Sequence, residues 1–110
     1  MIAHVVLFRP KRDLSRDDRD ALVDAFERAL REIPDVRGFR VGRRVRHGAG
    51  YEDTAPDIAD LLVVIDFDNL EGVQAYLRHP AHVELGARFA QAFDSGGVYD
   101  FEVGATSPHS

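Results

Sequence analysis

Two stretches of this chain are apolar on both of their faces, and nothing else in it narrows the fold as much. In "IAHVVLF", residues 2 to 8, the parity Ile2, His4, Val6 and Phe8 and the parity Ala3, Val5 and Leu7 are both largely apolar; "DLLVVIDF" behaves likewise from Leu61 to Ile65. A strand sends alternate side chains to opposite faces of its sheet, so a sheet holding both segments has two faces to shield from water. Helices of a short chain cover one of them. The other must be covered by something outside the monomer, most simply the same face of a second copy, because a bare apolar sheet of several hundred Å² is a liability.

The remaining elements fit that frame. Pro10 prevents regular extension of the first strand. "SRDDRDALVDAFERALREI" offers Ser15 as an N-cap with Asp18 three residues on, an aspartate variant of the capping box. Ala21, Leu22, Ala25, Phe26, Ala29, Leu30 and Ile33 then recur at three- and four-residue steps, which predicts one helix ending before Pro34. In "FRVGRRVRH", residues 39 to 47, Phe39, Val41 and Val45 alternate with Arg40, Arg44 and Arg46, with Arg43 breaking the apolar parity. This is the pattern of a strand with a wet side near a sheet edge. "GAGYEDTAPD" reads as a loop, and residues 58 to 67 as a strand. Helical patterning resumes at "NLEGVQAYLRH", is punctuated by Pro80 and runs on to Phe93; "DSGG" stops it, and "VYDFEV" is the last strand. The order predicts an α+β, ferredoxin-like, four-stranded antiparallel sheet with helices on one face, dimerising into an α/β barrel. At 110 residues the expectation is one domain over residues 1 to 104 with a flexible tail at 105 to 110.

Charge and composition remove several classes of function. The net charge of −5 opposes nucleic acid as the main partner, since backbone binding needs a positive field. One local exception is "VRGFRVGRRVRHG", whose arginines 37, 40, 43, 44 and 46 can attract an anionic ligand. There is no cysteine, so neither disulfides nor thiolate chemistry contributes. The opening residues place their basic charge after the apolar run, the reverse of a secretory signal, and no segment nears the ~20 apolar residues of a membrane span. The expectation is a soluble, cytoplasmic protein without a nucleotide cofactor, as no phosphate loop or dinucleotide fingerprint is present.

The chemistry concentrates in "YLRHPAHVELG", residues 76 to 86. Three readings compete. His79 and His82, with Glu84, can be metal ligands, although His-x-x-His alone is a weak signal. Alternatively His79 is the cap of a helix that begins at Pro80, with His82 partly buried and Tyr76 packed in the core. In the third, His82 is a general base and Tyr76 a neighbouring proton donor, because a histidine in a first helical turn feels the positive dipole end and stays neutral. His4, inside an otherwise apolar strand, can share a pocket with Val6, Phe8 and residues near the second helical region.

"MIAHVVLFRPK" and "YLRHPAHVELG", with Pro34 after the first helix and the "DLLVVIDF" strand between them, resemble the stress-responsive dimeric α/β-barrel family, often called Dabb, from Met1 to about Val103. The resemblance implies a homodimer with a ligand-sized pocket in each protomer. Some plant members are similar to polyketide cyclases that close a poly-β-ketone by an aldol step. By motif, the resemblance makes His82 the base, Tyr76 the substrate-holding phenol and His4 the first-strand histidine near the pocket. Phe26 and Leu61 stand where cyclising members place further polar groups, which implies a pocket for an apolar or aromatic ligand. The expected substrate contacts are therefore His4, Val6, Phe8, Phe26, Leu61 and His79, around catalytic His82 and Tyr76. The implied function is binding of a small hydrophobic or carbonyl-containing metabolite, with cofactor-independent enolisation or aldol cyclisation. Its alternatives are a non-enzymatic, stress-associated binding or structural dimer, and a cofactor-independent monooxygenase.

Overall fold

The computed structural model describes residues 1 to 104; the predicted tail at 105 to 110 lies outside the described residues. The chain runs β1 (Ile2–Pro10), α1 (Arg16–Glu32), β2 (Gly38–Arg43), a 3₁₀ turn (Gly50–Asp53), β3 (Leu61–Phe67), α2 (Leu70–Arg78), α3 (Pro80–Ala92) and β4 (Phe93–Glu102). The four strands form one sheet in the order β2-β3-β1-β4, with every neighbouring pair antiparallel. This is the predicted ferredoxin-like arrangement, and the arginine-bearing β2 is an edge strand, as its alternation implied.

Register separates the two faces. Ile2, His4, Val6 and Phe8 are buried, as are Val63, Ile65 and Phe67 of β3, and all face the helices. The opposite parity forms a second apolar surface: Val5 pairs with Val64 and Tyr99, Leu7 with Leu62, and Ala3 with Phe101. No helix among the described residues covers it, and Tyr99 and Phe101 are about half exposed there (47% and 55%).

The helices form where local chemistry directs. Ser15 accepts a hydrogen bond from the Asp18 amide at 3.1 Å, and α1 buries Leu22, Ala25, Ala29 and Leu30 before Pro34 excludes further turns. Asn69 caps α2 through the Gly72 amide at 2.9 Å. His79 ends α2 and starts α3: its Nδ1 accepts from the Ala81 amide at 3.0 Å, with Pro80 in the first helical position.

Three predicted boundaries move. The strand expected at 39 to 47 ends at Arg43, because Arg44 and Arg46 turn to the Asp57 carboxylate, each at 3.0 Å. Arg9 reaches the same carboxylate at 2.6 Å and that of Asp60 at 2.9 Å. These ion pairs, led by Arg9, hold both carboxyls below the usual aspartate range and tie the 44–60 segment across the end of the sheet. The strand expected from residue 58 accordingly starts at Leu61. The third shift is at "DSGG", expected as a break: β4 begins at Phe93, directly after α3, and runs through these residues with a register shift opposite Arg9 and Pro10. Gly96 makes that possible. Its φ is +147°, and a Cβ there would lie 2.1 Å from the Leu7 carbonyl oxygen. Gly96→Ala is expected to destabilise the fold by about 2–4 kcal/mol, from backbone strain and displacement of β1, read as a lower urea midpoint; Gly50→Ala, whose added methyl meets nothing within 4 Å, is the matched control.

Candidate functional site

The interface between the sheet and α2–α3 holds a cavity of about 340 Å³. β1 contributes His4 and Val6, α1 Phe26, α2 Tyr76 and Leu77, α3 His82, Leu85, Gly86 and Phe89, and β4 Val98. Among the described residues, its polar side chains are two imidazoles and one phenol. Tyr76 stands between the two histidines, with ring centroids 4.5 Å from His82 and 5.6 Å from His4, and packs on Phe67 at 5.2 Å.

Helix geometry brings these groups together. Tyr76 lies in the last turn of α2 and His82 in the first turn of α3, and the single residue His79 joins the two helices. The direction change at His79 turns side chains six positions apart toward one space. His4 arrives from the sheet, on the buried parity of its strand.

Each polar group is held in a defined state. His4 is 4% exposed, and its Nδ1 lies 2.6 Å from Asp100 Oδ1 on the paired β4 residue. A carboxylate only accepts, so Nδ1 carries the proton and, in the neutral ring, Nε2 is left as an acceptor. His82 is pushed below the ordinary histidine value, first by burial and further by His4, while the Leu77 backbone carbonyl pulls the other way. Burial drives the Tyr76 phenol up to about 12, so it keeps its proton at neutral pH. No buried side-chain polar atom among the described residues lacks a partner.

The expected site residues divide between two places. His4, Val6, Tyr76 and His82 line this cavity with Phe26, whereas Phe8 and Leu61 line a second, larger cleft between α1 and β2, where Phe26 also contributes. His79 is not brought to the cavity, because its ring is committed to capping α3. Glu84 binds Arg28 of α1 at 2.8 Å. Among the described residues no group of three or more His, Asp or Glu is placed to hold a metal ion. Asp100 was missed. It shares the parity of Val98 in the last strand, but its pairing with a residue 96 positions earlier depends on a strand register that alternation does not report.

Residues 2 to 103 match the family described as the stress responsive A/B barrel domain. No curated protein matches the chain. Among solved structures, an Arabidopsis thaliana protein is 23% identical with a TM-score of 0.77, over 98% of this chain and 100% of that one. A dimeric ferredoxin-like protein of unknown function from Thermobifida fusca is 25% identical with a TM-score of 0.70, over 93% and 90%. Hydroxynitrile lyase from Passiflora edulis is 17% identical with a TM-score of 0.79, over 97% and 96%, a likeness of fold.

The electrostatics of the cavity predict that His82 titrates below the ordinary histidine value and that His4→Gln, which removes the neighbouring imidazole that opposes a positive charge on His82, moves it upward. Histidine ring chemical shifts followed by NMR against pH measure both.

Proposed function

Because the chain belongs to the stress responsive A/B barrel domain family, we propose that it is a homodimer whose cavity binds a small carbonyl-containing or hydrophobic metabolite and enolises it by cofactor-independent His/Tyr catalysis. The observation that carries the reading is the convergence of His4, Tyr76 and His82 on one concave, otherwise apolar space. Side chains serving only as caps and core packing have no reason to share a cavity.

The proposed chemistry follows from the state of each group. His82, neutral near pH 7, takes a proton from the carbon between two carbonyls, and the C–H electron pair moves into an enolate. Tyr76 retains its own proton and donates a hydrogen bond to the enolate oxygen, acting as a preorganised oxyanion partner in a water-poor setting. His4, fixed by Asp100, presents Nε2 as an acceptor that orients an enol or hydroxyl of the ligand. An enolate formed in this way either takes back a proton or adds to a second carbonyl of the same molecule, which is an aldol cyclisation. Charge favours an uncharged head group, since among the described residues no lysine or arginine lines the cavity, while the Asp100 carboxylate stands behind His4.

The dimer reading rests on the bare sheet face, and the dimeric Thermobifida fusca protein supports it. Val64→Arg, at the centre of that face, is expected to yield a folded monomer or an aggregation-prone chain in light scattering. A wild-type protein that is already monomeric would overturn it.

Deuterium exchange at the methylene of a 3-oxoester tests the catalysis. The wild type is expected to accelerate exchange over buffer, with an acid limb in kcat/KM centred below 6.5, since the rate needs neutral His82. His82→Ala should lose about 10²- to 10⁴-fold, and Tyr76→Phe should lower kcat. Exchange unchanged in His82→Ala refutes the mechanism. Binding without turnover, with Tyr76→Phe altering only affinity, would make this a non-enzymatic binding dimer.

A further inference from the structure

The second cleft, of about 810 Å³, lies on the helix side of the sheet, between α1 and the edge strand β2. Its α1 wall is a single helical stripe: Arg19, Leu22, Val23, Phe26, Leu30. Phe39 and Val41 form the β2 wall and stand 50% and 63% exposed, although they face the same side as the buried Ile65 and Val63 with which they pair. An edge strand with two large, half-exposed apolar side chains on its helix-facing side leaves an unfilled space, and α1 gives that space a length of about 16 Å from Arg19 to Leu30 at helical rise.

The charges around it are unequal. Four charged side chains line the cleft: Arg19, Glu27, Arg31 and Asp60. Glu27 lies 3.9 Å from Arg31, and Asp60 is taken by Arg9 at 2.9 Å. The guanidinium of Arg19 has no ion pair among the described residues. It stands at the end of α1 that follows β1, the end lined also by Pro10, Leu14 and Asp60. At that end the cluster formed by Arg9, Arg44 and Arg46 sets three guanidiniums against the carboxylates of Asp57 and Asp60. The cleft is therefore apolar along its length, with the guanidinium of Arg19 as the cation without an ion pair among the described residues at one end.

We propose that this cleft binds a single-chain amphipathic monoanion of the fatty-acid class, its chain lying between α1 and β2 and its carboxylate on Arg19. Arg19 is the contact for the carboxylate. The assignment is independent of the chemistry proposed for His4, Tyr76 and His82, none of which lines this cleft.

Calorimetry on the full-length protein tests it with dodecanoate, dodecanol and dodecyltrimethylammonium, each below its aggregation threshold. Dodecanoate is expected to bind about tenfold more tightly than the alcohol, and the cation more weakly than either. Arg19→Gln, an exposed change that leaves the core intact, should erase the advantage of the carboxylate while the alcohol still binds. Val41→Asp should weaken both, and His82→Ala should leave both unchanged, which separates this site from the catalytic proposal. Equal affinity for acid and alcohol in the wild type, an undiminished preference in Arg19→Gln, or no binding of dodecanoate overturns it.

Discussion

The structure depends on covering β1 from both sides. The first strand lies inside the sheet, hydrogen-bonded to β3 on one edge and β4 on the other, so its backbone is fully used and its side chains alone decide what approaches each face. The even positions of β1 draw the helices, and its odd positions, Val5 and Leu7, join Leu62 and Val64 of β3 on a surface that no helix among the described residues covers. Burying such a surface is favourable at roughly 25 cal/mol per Å², which is why an apolar outer face calls for a partner. The same alternation puts His4 among the helix-facing residues. A shift of one residue in the pairing would send the imidazole to the opposite face and empty the cavity of one of its three polar groups.

Much of this was legible in the sequence, for identifiable reasons. The α1 stripe, the Ser15 cap, the stop before Pro34, and Pro80 with His79 as its cap depend on residues within a turn or two of one another. The edge character of β2 was visible in its arginines. What escaped depends on contacts distant along the chain. The β4 start at Phe93 needs Gly96 against the Leu7 carbonyl, and the end of β2 at Arg43 needs Asp57 as a competing partner for Arg44 and Arg46. Strand parity puts Phe8 with His4 and Val6 at the histidine pocket, and the family resemblance puts Leu61 there. Parity names a face but not a position along it, and Phe8 and Leu61 sit farther toward the end of the sheet that borders the larger cleft.

The two cavities differ in how they treat charge. In the smaller one two facing groups are biased toward neutrality: burial acts against protonated His82 and against ionised Tyr76 alike. The one carboxylate is set behind His4, where it fixes a tautomer. The larger cleft keeps its charges at the rim, within reach of water. Phe26 and Phe89 border both spaces.

The junction at His79 has a consequence for how such a chain can vary in length. Tyr76 and His82 face one another because one extended residue separates two helices, and each residue added to a helix rotates everything beyond it by about 100°. An insertion or deletion between Tyr76 and His82 would swing one ring away from the other even if both helices remained intact. The spacer of five residues is thus closed to length change, whereas the 44–60 segment, tied down through side chains at its two ends, can lengthen or shorten between them. Descendants of such a sequence can change what surrounds the pocket far more readily than the interval that sets its two facing rings.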